Sequence, residues 1–197
     1  MRAAAVSLIL ACLTGCVPWT VRPIESTRQG QAEERFDAKR FVDGVWQTSL
    51  VPAIEQQAVD LSALLSQGQM KAGAAVAVKG TARVLKVNAA PPSGTLLLDL
   101  LPADGRADAV LQIGPEIRGS SLRDATSVIS FSQFVNQIDF ANAGSELNRR
   151  AVQALPPAAE LARAAGKNIE FTGTFTVTPG ALPEIAPARL RLVGERK

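Results

Sequence analysis

Hydrophobic periodicity along this 197-residue chain predicts an α+β fold built around five β-strands. Three stretches read as strands: "AAVAVKGTARVLKVN" from Ala74, which alternates apolar and polar residues, "TLLLDLLP" from Thr95 and "AVLQIGP" from Ala109. A helical section follows. Two more strands follow: "NIEFTGTFTVTP" from Asn168, which alternates cleanly, and "EIAPARLRLVG" from Glu184, which could pair with it. Alternation with a period of two marks strands that have one buried face. Three strands, a helix and two strands is the chain order of a five-stranded OB-like β-barrel. The fold expected is such a barrel, with N-terminal helices and a helical insertion between strands 3 and 4. An open β-sandwich is the other arrangement these strands allow.

Each element has its own justification. Asp37 is a plausible N-cap, and Phe41, Val42, Val45 and Trp46 then share one helical face. Pro52 suits the start or a kink of a second helix. Ile54, Ala58, Leu61 and Leu65 recur at i, i+4, i+7 and i+11, and Gly68 ends that run. In the first strand Val76, Val78, Ala82 and Val84 share one side, and Gly80 allows a bend. "PPSG" turns the chain after it, and Asp104-Gly105 is a hairpin signal. In the insertion Phe131, Phe134 and Ile138 fall on one helical face, Gly144 interrupts, and "SELNRRAVQAL" and "PAAELARAAG" follow.

The N-terminus carries the most explicit chemistry. Arg2 precedes an apolar run, Ala3 to Leu13, of eleven residues. That length suits a signal peptide and falls short of the roughly 20 residues needed to span a bilayer. Leu13-Thr14-Gly15-Cys16 resembles a bacterial lipobox, in which a diacylglycerol joins the cysteine thiol, cleavage occurs before the cysteine, and the new amine is often acylated. The reading is a signal peptide over residues 1–15, a lipid-anchored tether over 16–35 and a single domain over 36–197. "VPWTVRPIESTRQGQAEER" has the proline-rich, polar, aperiodic character of a tether. Cys12 leaves with the signal, and membrane lipid is the first partner, held through acylated Cys16. Val17 follows where an aspartate would mark inner-membrane retention in enteric-type bacteria, which favours the outer membrane, on its periplasmic side.

Composition removes whole classes of function. The chain has no histidine, hence no Ser-His-Asp or Cys-His dyad and no histidine zinc ligand. Phosphate-binding glycine loops and the G-x-S-x-G and S-x-x-K nucleophile motifs are absent too. No cofactor, metal or catalytic residue is expected, and the chain is read as non-enzymatic. Nucleic acid is excluded as a partner because Ala74 to Gly114 contains no aromatic residue on which bases could stack, and the net charge is only +3.

The densest polar segment is "LQIGPEIRGSSLRDA", Leu111 to Ala125. Gln112, Arg118, Arg123 and Asp124 are its candidate ligand- or partner-binding residues. Arginine forks at a barrel rim would suit a carboxylate, a phosphate or sugar hydroxyls. Equally, Arg118 or Arg123 could pair with Asp124 or Glu116 and pin the loop. A second group, Gln133, Asn136, Gln137 and Asp139, could line a sugar site or simply cap and solvate a helix. Asp104 and Asp108 lack the spacing of a calcium loop and read as a hairpin turn.

The blocks "VKGTARVLKV", "LQIGPEIRGSSLRDA" and "ISFSQFVNQI", with "FVDGVW" at Phe41 and "AVDLSALL" at Ala58, resemble a family of predicted bacterial periplasmic lipoproteins that carries only a domain-of-unknown-function label. The resemblance implies an OB-like domain, and members tend to be encoded near sugar-uptake transporters. It assigns no activity and no catalytic residues. The acidic hairpin common in the family is here Ala103-Asp104-Gly105-Arg106. The implied function is that of a lipid-anchored extracytoplasmic binding or accessory protein. Its partner would be a small polar solute or a component of a sugar ABC transporter. The alternative is a structural or assembly lipoprotein that binds a protein through its helices, with an apolar patch around Phe41 and Trp46.

The anchor reading has a direct check. Cys16→Ser should move the chain out of the membrane fraction, read by fractionation and by loss of acyl mass from the N-terminal peptide.

Overall fold

Strand alternation closes on itself in three dimensions. The computed structural model describes residues 35–68 and 70–193. The signal segment, Cys16, Val17 and the tether through residue 34 lie outside the described residues.

The strands are β1 (Val59–Asp60), β2 (Ala75–Asn88), β3 (Ser93–Leu100), β4 (Ala109–Pro115), β5 (Asn168–Thr176) and β6 (Glu184–Val193). Neighbours run β2-β3-β4-β6-β5, and β5 pairs back onto β2. Only β4 and β6 are parallel in this ring. The five long strands therefore form a closed barrel. β2 is long enough to serve two neighbours: residues 75–83 pair with β5 and residues 82–88 with β3. β1 lies parallel to β2 at Val78 and Lys79, on the stretch that β3 does not reach.

On β2 the buried positions Val78, Ala82 and Val84 are those the alternation names. Val78, Ala82, Val84, Leu96, Leu98, Leu111, Ile169 and Ile185 are fully buried, with Phe171 and Phe175 beside them. Each large apolar side chain so buried contributes about 1.5–3 kcal/mol. Gly80 sits directly opposite Phe171, and a Cβ there would meet the Phe171 ring at 3.0 Å. Its lack of a side chain thus makes room for an aromatic ring in the barrel. The departure from regular pairing in β2 comes further on, where the register with β3 shifts between Val84 and Lys86.

A second core lies outside the barrel. Helix α1 (Ala38–Val45) leads through a π-helical turn (Trp46–Leu50) into α2 (Val51–Gln57). Asp37 caps α1 by accepting from Arg40 N at 2.9 Å. Val42, Trp46, Leu50, Val51 and Ile54 pack with Ala143, Leu147 and Ala151 of α5 (Gln137–Gln153) over Ala77, Ala186 and Ala188 of the sheet. Trp46 is buried and Phe41 half-buried, so neither forms the apolar patch expected there. Burial of the α1 stripe against α5 is the reason.

Three helical readings change. The run from Ile54 to Leu65 is two helices: Ala58 turns to extended backbone, β1 pairs, and Asp60 caps α3 (Leu61–Gln67) by accepting from Ala63 N at 2.9 Å. Gly68 ends α3 with φ +64°. Phe131, Phe134 and Ile138 do not share a face, because a 3₁₀ turn (Phe131–Gln133) stops before Asn136 caps α5. Gly144 does not interrupt α5, which runs through it. The short helices α4 (Ser121–Asp124) and α6 (Ala158–Leu161) complete the insertion.

Gly173 is the tightest point of closure. A Cβ there would lie 2.5 Å from Ala186 O and 2.7 Å from Ile185 Cγ2. Backbone cannot yield as a side-chain tip can. Gly173→Ala should cost about 1–3 kcal/mol or more through overpacking. A melting curve should show it as a loss of about 4–8 °C for roughly 2 kcal/mol.

Candidate functional site

The polar segment after β4 folds into a joint between the barrel and the helices. Gln112 is buried, accepts from Arg118 N at 2.6 Å and donates weakly to Arg118 O at 3.4 Å. Asn148 of α5 donates to Ile117 O at 3.0 Å and Gly119 O at 2.8 Å. The loop backbone is thus held from both sides, and the Arg118 residue itself is exposed. The Ser121 hydroxyl, buried against β5, accepts from the Thr174 hydroxyl at 2.9 Å and ties α4 to the barrel.

Arg123 and Asp124 hold each other. Arg123 Nε and Nη2 donate to the Asp124 carboxylate at 2.6 and 3.1 Å, and Ser120 Oγ donates to it at 2.6 Å. Arg123 also donates to Phe140 O at 3.3 Å and stacks on the Phe140 ring at 3.8 Å. Its guanidinium fills the space beside Gly144, where a Cβ would stand 3.4 Å from Nη1. Gln112 and Arg118 therefore meet through backbone, while Arg123 and Asp124 face α5 as an ion pair.

Partial burial pushes the Asp124 carboxyl up, but hydrogen bonds from Arg123 and Ser120 and the Arg123 charge outweigh it, leaving the group below its ordinary value. The other polar residues singled out are local caps. Gln133 and Ser130 form a capping box, and Asn136 accepts from Asp139 N at 2.9 Å. Asp104 accepts from Arg106 N, and Asp108 from Leu100 N. The turn is held from beneath by buried Asp99, which accepts from Asp104 N at 3.1 Å and Gly105 N at 2.8 Å. Among the described residues no three acidic side chains cluster as metal ligands would.

A different surface has the shape of a site. Outward positions of β2 read Ala77, Lys79, Thr81, and those of β5 read Thr174, Thr172, Glu170. Helices cover the first of each set; beyond them the sheet opens as a groove of about 730 Å³. Register aligns Lys79, Thr172 and Arg189 in one row across three strands and Thr81, Glu170 and Arg191 in the next. Arg191 donates to Glu170 at 2.6 Å, and Arg189 pairs with Glu55 of α2. Lys79 has no ion-pair partner among the described residues.

Both arginine side chains are more than half exposed, and exposed pairs are worth at most about 1 kcal/mol. Their forks can therefore turn to an incoming anion at little cost. The sequence reading passed over these residues because a charged outward position is ordinary in a strand. The signal present was "ARLRL", where a period of two must put both arginines on one face.

The profile of one family, described as "Predicted periplasmic lipoprotein (DUF2291)", matches residues 6–191. A crystal structure described as an OB-fold protein from Thermotoga maritima MSB8 superposes with a TM-score of 0.62 at 17% identity, covering 80% of this chain and 99% of that one. At that identity the likeness concerns the fold. A search of the curated proteins found no match.

Because the folded Asp124 carboxyl is depressed, its contribution to stability is present above the unfolded value near pH 4 and is lost as pH falls through the folded one. Melting temperatures of the wild type and Asp124→Asn should differ at pH 7 and converge as the pH drops below about 4.

Proposed function

Since this chain belongs to the DUF2291 family of predicted periplasmic lipoproteins, we propose that it is a lipid-anchored extracytoplasmic binding protein that presents a polar solute to a sugar-uptake ABC transporter. It binds its ligand without transforming it. The observation that carries this reading is the groove over β2, β5 and β6, with Lys79, Arg189 and Arg191 beside the hydroxyls of Thr81 and Thr172. Lys79, with Arg189 and Arg191 held only by exposed pairs, suits a carboxylate or phosphate even with Asp60 and Glu170 on the lining. The Thr81 and Thr172 hydroxyls, in adjacent rows, suit the hydroxyls of a sugar ring. The ligand class is therefore an anionic sugar, such as a hexuronate or a sugar phosphate. Arg118, exposed on the pinned loop, remains available for contact with the transporter.

The test is a thermal-shift and calorimetric panel on the detergent-purified chain, pairing each sugar acid or sugar phosphate with its neutral parent. A ligand at about 100 times its dissociation constant adds about 2.7 kcal/mol, a shift of roughly 5–10 °C at this size. The charged member of a pair should shift the midpoint and the neutral one should not. Arg191→Ala and Lys79→Ala should each weaken binding about tenfold or more, the value of one charge-assisted hydrogen bond. A flat response across the panel overturns the solute reading and leaves the assembly-lipoprotein alternative.

A further inference from the structure

Large apolar side chains stand in water at one corner of the domain, far from the groove. Val135 is 90% exposed, Ile138 71% and Phe131 47%. They lie within eight residues of chain around the N-cap of α5, in a segment, Ala125 to Ile138, that has no charged residue. The rest of its exposed surface is Ser, Asn and Gln, with the Asp139 carboxylate beside Ile138 hydrogen-bonded to Asn136 at 2.9 Å. A rigid base supports them. Phe36, Phe41, Phe134, Phe140 and Phe131 form one connected set of ring contacts with centroids 5.2–5.6 Å apart.

Exposed apolar groups of this size call for a partner. Phe36, where the chain arrives from Cys16, packs on Phe134, the residue next to Val135. Only 20 residues separate Phe36 from Cys16, so this corner cannot stand more than about 70 Å from an acylated cysteine. Apolar tips with an amide and hydroxyl rim, carrying a carboxylate only at its edge, match the headgroup–acyl boundary of a bilayer better than a charged partner.

We infer that Phe131, Val135 and Ile138 seat in the membrane that holds the lipid anchor and fix how the domain stands on it. The inference rests on the anchoring at Cys16 and is independent of what the groove binds. Along α5, Ile138 is about 24 Å from Ala154, which borders the groove, so the docked corner leaves the groove clear of the bilayer.

The chain has no cysteine after Cys16, so a thiol introduced at position 135 is unique in the acylated protein. We would label Val135→Cys with a polarity-sensitive fluorophore, reconstitute the acylated protein in phosphatidylcholine vesicles, and compare it with Arg106→Cys on the β3–β4 hairpin. The expected result is a blue-shifted emission from position 135 that nitroxide-bearing acyl chains quench, with neither effect at 106. Adding Ile138→Asp and Phe131→Asp should abolish both effects while the protein still floats with the vesicles. A floating protein whose label at 135 stays as water-exposed as that at 106 overturns the docking. So does a blue shift without lipid quenching, which would put a protein or a second copy on the patch. Failure to float overturns the anchor instead.

Discussion

Everything in this domain hangs on β5, the strand paired along its whole length with β2 on one side and from Asn168 to Thr174 with β6 on the other. Two close approaches make that possible. Phe171 covers Gly80 across one seam, and Gly173 lets the backbone of β6 come within what would be a Cβ's radius across the other. With β5 in place the barrel has no free edge there, and its inward face becomes a closed apolar interior. Its outward face becomes the floor on which both the helices and the groove are laid.

That floor is divided by composition. Ala77, Thr174, Ala186 and Ala188 are small, so α2, α4 and α5 can lie close over them, and a buried Ser121–Thr174 hydrogen bond satisfies the polar atoms that closeness would strand. One residue pair further along β2 and β5, the side chains are Lys79 and Thr172, which cannot be covered without desolvating charge. The helical layer stops there, and the groove is what remains open. Burial of the helices and exposure of the groove are two consequences of the same alternation.

The loop after β4 has a different logic. Gln112 and Asn148 spend their amides on loop backbone, and Arg123 spends its guanidinium on Asp124, a carbonyl, an aromatic face and the notch at Gly144. A cluster of polar residues in sequence is as often a joint as a site, because a loop crossing between two layers must satisfy its own backbone groups. The exposed corner at Val135 and the charged groove lie toward opposite ends of α5, which gives the domain two separate faces with opposite chemistry.

Much of this was legible in the chain. The five strands, the inward residues of β2, the Asp37 cap and the Asp104-Gly105 turn followed from side-chain period and local hydrogen bonding, which act within a few residues. The break at Ala58 and the cap at Asn136 were missed because helical spacing continues across both, and only a capping carboxylate or amide and an available strand edge decide against a continuous helix. Gly144 was misread because a single glycine costs a helix only about 1 kcal/mol, which the packing of α5 outweighs. By itself, then, the sequence determined the five strands and a segment at Cys16 that resembles a lipobox, since each is written in neighbouring residues, while closure into a barrel rather than a sandwich was decided in three dimensions. Tertiary structure alone decided the groove, because Lys79, Thr172 and Arg189 become neighbours only through the register of three strands more than ninety residues apart at their extremes.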